Sequence, residues 1–345
     1  MNFALINNSR NPDMSLYFKA KKNINSKRLI FAANSFYWDE DQIYLSSISP
    51  KNKLSWHFII DFIIGIYLAI KFKIKGIDCL LFDNAHISNI PLALVAYFLR
   101  LKLVFTIHDW IPHEGKMARA TRLHNWVLES FLADYFIVFS SIETEVPFSV
   151  LKLSGFQSNF KKSKVSNLSF LFFGRIQPYK GLQNLIYIAE KVKREMPNAV
   201  INIIGEGQDK ALDVLSKLSN VNVINKFISE DDLNSQLKKT TAVILPYDNA
   251  TQSGVIIKSF SMGIPVIAFD VGALKYYVDN GSDGILVKHG NVKGFVEAMI
   301  HISENFVAFS NAAEKNFTKN YSERALVNQY EALLLTLGEK LEQNK

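Results

Sequence analysis

Two cations close together in the sequence, Arg175 and Lys180, offer the clearest chemistry in this chain. They lie in Gly-Arg-Ile-Gln-Pro-Tyr-Lys-Gly, residues 174–181. An apolar run at 169–173 precedes them, and Leu182, Leu185, Ile186, Ala189 and Val192 follow at helical spacing. Gly174 is therefore expected to end a strand, Pro178 to stiffen the turn, and Lys180-Gly181 to open a helix. A guanidinium fork, an ammonium and free N–H groups at a helix N-terminus together suit a diphosphate. Taken alone, the same segment also reads as two solvated surface cations.

A second anion site is expected in the run 246–274. There a Thr251-Gln252-Ser253-Gly254-Val255 turn leads from a strand into an apolar helix, and a glycine turn at Gly263 starts another strand. Hydroxyls and exposed N–H groups at that helix N-terminus favour negative charge. Gly205-Glu206-Gly207, after the run 200–204, is only half of a dinucleotide fingerprint and more often a tight strand-to-helix turn. Among the histidines, His108 follows a strand candidate in 106–113, Thr-Ile-His-Asp-Trp-Ile-Pro-His, with His86 and His113 as weaker candidates. The one cysteine, Cys79, lies in an apolar run, which excludes an internal disulfide and a thiolate cluster.

These residues need elements to hold them. A chain of 345 residues exceeds what one hydrophobic core usually serves, so two domains are expected. With 48% apolar and 21% charged residues it is neither disordered nor fibrous. Strands are expected at 3–6, 29–33, 43–48, 79–82, 103–107 and 136–139, and again at 169–173, 200–204, 221–224, 242–245, 266–269 and 284–287. Helical spacing fills 56–74, 90–99, 123–132 and about 322–342, among others. Continuous apolar strands separated by helices mean parallel sheets covered on both faces. The fold class is thus α/β, with two Rossmann-like doubly wound domains. The Lys- and Ser-rich stretch 158–167 is the expected hinge.

The net charge of +7 lies wholly in residues 1–167, with 20 Lys and Arg against 13 Asp and Glu; residues 168–345 balance at 19 each. Basic residues beside apolar helix faces, at 66–75 and 99–102, suit an anionic membrane surface. An ordinary basic surface is the plainer alternative, and no nucleic-acid-binding pattern appears, so no nucleic-acid partner is expected. The N-terminus lacks the basic start of a secretory signal, and the apolar run 59–70 is too short to span a bilayer. The expected location is cytoplasmic, peripheral on the inner face of the plasma membrane.

The succession of motifs now resembles a family. Gly-Arg-x-x-x-Tyr-Lys-Gly, the Gly-Glu-Gly turn, Leu245-Pro246-Tyr247 with Thr251 to Val255, and 261–272 (Ser-Met-Gly-Ile-Pro-Val-Ile-Ala-Phe-Asp-Val-Gly) are similar to the nucleotide-binding half of family 4 glycosyltransferases, which have the GT-B fold. The likeness is dense over about 168–300 and looser before it, where 106–113 resembles a strand ending in a His-Asp pair. It implies a GT-B chain with an acceptor-binding domain at 1–165, a nucleotide-sugar-binding domain at 166–321, and a helix at 322–345 crossing back. It implies transfer of a hexosyl group from a nucleotide-diphosphate sugar to a saccharide or membrane-borne, lipid-linked acceptor, with retention at the anomeric carbon and no metal or other cofactor.

Carried over residue by residue, Arg175 and Lys180 would neutralise the diphosphate beside Gly174, and Thr251, Gln252, Ser253, Gly254 and Val255 would add N–H groups. Phe227 and Ile228, after Lys226, would lie near the base, and His108 would approach the transferred sugar. The pattern departs from the family at three carboxylate positions, which here read Ala250, Lys258 and Tyr276. Asp248 or Glu206 are the candidates to replace them. The alternative reading is a non-catalytic partner of an active transferase; an epimerase of the same architecture or a two-domain sugar-binding protein follow it.

Overall fold

The computed structural model describes residues 1–7, 21, 23–24, 29–34, 43–45, 56–83, 89–107, 123, 125–139, 142–155, 168–250 and 253–343. They form two compact units, Met1–Lys152 with Leu326–Lys345, and Leu153–Ala325. The expected hinge at 158–167 lies outside the described residues.

In the first unit β1 (Phe3–Asn7), β2 (Leu29–Asn34), β3 (Ile43–Leu45), β4 (Cys79–Phe82), β5 (Lys102–Ile107), β6 (Tyr135–Val138) and β7 (Phe148–Val150) form one sheet in the order β3-β2-β1-β4-β5-β6-β7. Every pairing is parallel. Helices α1 (Trp56–Ile74) and α2 (Ile90–Phe98) run side by side, and a Cβ on Gly65 would meet the Leu92 backbone nitrogen at 2.9 Å. That close approach is why glycine interrupts an otherwise apolar helix. Two features differ from the expectation. The end of the 123–132 helix, Leu128–Leu132, winds as a π-turn, and β7 is an additional strand.

The second unit carries β8 (Ser169–Phe173), β9 (Val200–Ile204), β10 (Val221–Ile224), β11 (Ala242–Leu245), β12 (Val266–Phe269) and β13 (Gly284–Val287), in the order β10-β9-β8-β11-β12-β13. All five pairings are parallel. Between the strands come α3 (Leu182–Glu195), α4 (Ala211–Leu215), α5 (Glu230–Leu237) and α6 (Gly254–Ser261), and then α7 (Val292–Glu304) and α8 (Phe306–Asn320) after β13. Counted from its own first strand, the second sheet reads 3-2-1-4-5-6, the doubly wound order, and the first sheet reads the same with β7 added as a seventh strand at its edge.

Local chemistry explains these elements. The α3 helix buries Leu182, Leu185, Ile188, Ala189 and Val192 on one stripe. Side-chain oxygens of Ser229, Ser253 and Asn291 cap α5, α6 and α7 by accepting from backbone N–H groups three residues on. Truncating a side chain as buried as Leu185 should cost about 2–5 kcal/mol of stability. The last helix, α9 (Glu323–Gln343), buries Leu326, Tyr330, Leu333, Leu334 and Leu337.

In both sheets the strand order reverses beside the first strand, between β1 and β4 and between β8 and β11. Open parallel sheets bind ligands at the carboxyl side of that point.

Candidate functional site

Between β8 and β11, the backbone sets the site before any side chain does. Gly174 leaves β8 with φ +103°, and its N–H donates to the carbonyl of Ile204. Ile176 N–H donates to the Glu206 carbonyl, so the ends of β8 and β9 stay joined past the sheet. A Cβ on Gly205 would lie 1.9 Å from the Gly174 carbonyl oxygen. The Gly-Glu-Gly turn is thus two backbones in contact, which only glycine allows. Glu206 is exposed on this turn.

Lys180 does not open the helix as expected. Pro178–Lys180 is a 3-10 turn, and Gly181, with φ +66°, caps α3 after it. Gly181 lies so close to the Pro246 carbonyl that a Cβ there would come within 1.9 Å. That contact ties the turn after β8 to the end of β11, and the Tyr179 carbonyl adds to it by accepting from Asp248 N–H.

The turn sends the Lys180 side chain back inward, where it is 6% exposed. Its Nζ lies 2.9 Å from where a Gly174 Cβ would stand, and 5.8 and 5.4 Å from the ring centres of Phe172 and Tyr247. The Val255 side chain lies 3.6 Å from the same Cβ position, so the first turn of α6 closes the group. Among the described residues no carboxylate pairs with Lys180. Burial, reinforced by the nearby Arg175 charge, pushes its pKa down to about 8. An ammonium held between aromatic rings without a counter-charge is stabilised by any anion that reaches it.

The N-terminus of α6 faces this cation. Ser253 is buried and accepts from Ile256 N–H at 3.4 Å, while the N–H groups of Gly254 and Val255 have no acceptor within the helix. Space is open in front of Gly254, since a Cβ there would meet nothing within 4 Å. The structure therefore brings together Gly174, Lys180, Ser253, Gly254 and Val255, with Arg175 exposed beside them. Thr251, Gln252 and His108 lie outside the described residues, as do His86 and His113.

Phe227 and Ile228 follow β10, two strands from β8; Phe227 is 80% exposed and Ile228 packs half-buried on the core. Lys258 binds Glu230 Oε1 at 2.7 Å. Ala250 is buried, its carbonyl accepting from Ala273 N–H, and Tyr276 is exposed. Asp248 Oδ1 accepts from Asn184 Nδ2 at 2.8 Å and lies 2.8 Å from His289 Nε2. It braces the turn after β11.

Tyr247 and Asp248 stood in the sequence motif after β11, but the Phe172 ring beside Lys180 and the Asn184 and His289 partners of Asp248 carried no signal in the sequence beyond apolar or polar character. The Tyr247 hydroxyl is buried with no hydrogen-bond partner among the described residues.

Residues 167–305 match the family model described as Glycosyl transferases group 1. An uncharacterised glycosyltransferase of Haemophilus influenzae is 21% identical over 179 residues, 50% of this chain and 51% of that protein. GDP-mannose:glycolipid 4-beta-D-mannosyltransferase of Xanthomonas campestris is 23% identical over 175 residues, 48% of this chain and 49% of its own length. The matches thus span about half the length of these curated relatives. Among solved structures, Anabaena Alr3699/HepE in complex with UDP superposes with a TM-score of 0.69 at 15% identity, over 97% of this chain and 100% of that one. The fold is therefore that of the GT-B glycosyltransferases.

Proposed function

We propose that the protein is a glycosyltransferase that moves a hexosyl group from a nucleotide-diphosphate sugar to a saccharide or lipid-linked acceptor. The observation that carries this reading is the unpaired, buried ammonium of Lys180 facing the α6 N-terminus at the point where the strand order reverses. In this reading Lys180, Arg175 and the N–H groups of Gly254 and Val255 hold the diphosphate. They take up the negative charge that grows on it as the bond to the sugar breaks. That role is assigned to side chains and backbone rather than to a metal, and the sugar is transferred with retention. His108, the residue after β5, is assigned to the sugar, where an imidazole can hydrogen-bond a hydroxyl and stabilise developing charge.

The glycolipid acceptor in the name of the Xanthomonas relative supports a lipid-linked acceptor here, in surface polysaccharide or glycolipid synthesis. In this reading the protein works on the inner face of the plasma membrane. Among the described residues, no helix is long and apolar enough to cross a membrane.

Melting temperatures with UDP, GDP, ADP and CMP, followed by nucleotide-sugar turnover, test the reading. At least one nucleoside diphosphate should stabilise the wild type, and His108→Ala should keep that binding while losing about a hundredfold in rate. A second reading, a non-catalytic partner of an active transferase, is favoured by one observation: Lys258, at an expected carboxylate position, is held by Glu230. No stabilisation by any nucleotide at millimolar concentration would decide for that partner.

A further inference from the structure

The first unit carries a helix that is apolar on two faces and buried on one. Along α1, Gly65, Leu68, Ala69 and Phe72 are buried, while Ile63, Ile66, Tyr67, Ile70 and Ile74 are exposed at spacings of three and four residues, Ile74 by 81%. Spacing of that kind puts them on one stripe. At the end of the neighbouring α2, Tyr97 and Phe98 stand out into solvent with ring centres 5.8 Å apart, Phe98 exposed by 78%.

Cations surround these side chains. Lys71, Lys73 and Lys75 close α1, and Lys71 Nζ lies 5.5 Å from the Tyr67 ring centre. Arg100, with φ +56°, follows α2 in a backbone conformation that non-glycine residues seldom adopt. Lys73, Tyr97, Phe98, Arg100 and Lys102 line one depression of about 850 Å³, which brings the last turn of α1 and the end of α2 to one surface. Two carboxylates also border it. Asp134 is taken up by Lys102 at 2.5 Å, and Asp78 accepts from Asn2 N–H at 2.8 Å. Among the described residues Lys71, Lys73, Lys75 and Arg100 have no carboxylate partner.

The depression lies where β4 and β5 begin, at the amino edge of the sheet, away from the carboxyl edge where His108 follows β5. Large exposed apolar side chains rimmed by unpaired cations fit an interface whose inside is hydrocarbon and whose surface is negative.

We propose that the exposed faces of α1 and α2 dock on an anionic lipid bilayer, with Ile66, Ile70, Ile74 and Phe98 entering the acyl boundary and Lys73, Arg100 and their neighbours binding lipid phosphates. This rests on the proposed function only for its lipid-linked acceptor; it locates the membrane contact and is independent of the donor site.

Co-sedimentation with phosphatidylglycerol and phosphatidylcholine vesicles tests it on the full chain. The wild type should bind phosphatidylglycerol at least tenfold better than phosphatidylcholine, with binding falling as salt rises. Ile70→Ser with Ile74→Ser and Phe98→Ser, and separately Lys73→Glu with Arg100→Glu, should each lower binding at least tenfold. Lys315→Ala with Lys319→Ala, on exposed α8 positions, should leave it unchanged.

Equal binding to both lipids, no binding to either, or patch variants that bind like the wild type would overturn the proposal. So would a patch-dependent dimer that ignores vesicles. Circular dichroism confirms folding, and the charge reversal, confined to exposed residues, keeps the test if the apolar triple variant misfolds. Vesicle binding without nucleotide binding would overturn the donor reading alone, and the converse would overturn this one alone.

Discussion

Each sheet has a lysine buried near the point where its strand order reverses, and the two lysines have opposite surroundings. In the first unit Lys21, 3% exposed, pairs with the carboxylate of Asp83 just past β4 and donates to the Tyr330 hydroxyl at 2.7 Å. Asp83 N–H donates to the Ile6 carbonyl at the end of β1, which places the pair between the two strands. Burial alone lowers the Lys21 pKa, but Asp83 and Tyr330 outweigh it and the net shift is upward. In the second unit Lys180 has aromatic walls and no carboxylate, and burial carries its pKa down to about 8. One topology thus gives a sealed joint in one unit, which also fixes α9 there, and a buried ammonium without a carboxylate partner among the described residues in the other.

Breaking the sealed joint should have the largest effect. Asp83→Ala leaves an unpaired ammonium in a dry interior, and removing one partner of a buried pair costs about 3–5 kcal/mol. Urea unfolding should show that loss, and Lys21→Met combined with Asp83→Leu should recover much of it. Equal losses for Lys180→Met would erase the contrast, because no carboxylate is orphaned there.

The Lys180 site should respond in binding instead. Lys180→Ala or Arg175→Ala should weaken nucleoside diphosphate binding by about 1.5–3 kcal/mol for each charged hydrogen bond lost, with the fold retained. Unchanged titration calorimetry for both variants would remove the diphosphate from this site.

The contrast was partly legible beforehand. The six strands of the second unit coincide with the apolar runs that marked them, because the central strands β8, β11 and β12 are buried nearly throughout, and even β9 and β10, with Asn202 and Asn222, keep apolar residues around one polar position and end where polar or turn residues begin. β7 escaped because Phe148–Val150 is short and only half-buried, and the π-turn at Leu128–Leu132 escaped because its apolar spacing also fits an α-helix. Gly174 and Lys180 stood in one short motif, so their meeting could be read locally. The Lys21–Asp83–Tyr330 joint spans 309 residues and leaves no local pattern. The same holds for Glu230 reaching Lys258 across 28 positions.

A smaller effect should appear with pH. Since the folded pKa of Lys180 lies near 8 and its ordinary value is 10.5, the unfolded chain holds more protons between those values. Stability should therefore rise with pH across that window, and Lys180→Met should flatten the rise. Diphosphate affinity should move the opposite way, falling above pH 8 as the ammonium is lost. Affinity that stays level to pH 9.5 in the wild type would mean that the charge is not used.

Lys258 in the second unit should give the smallest change and the finest test. Lys258 pairs with Glu230, but the pair is open to solvent, and such pairs contribute about 0–1 kcal/mol. Lys258→Ala should therefore barely move the urea midpoint, in contrast with Asp83→Ala. Its consequence lies in what it cannot do, since an ammonium only donates and offers no acceptor to a ribose hydroxyl. A nucleotide and its 2′-deoxy form should thus bind within about tenfold of each other, or roughly 1.4 kcal/mol. Strong preference for ribose in the wild type would refute that expectation. Its loss in Glu230→Ala would then identify the Glu230 carboxylate as the acceptor, delivered to the site by the lysine that binds it.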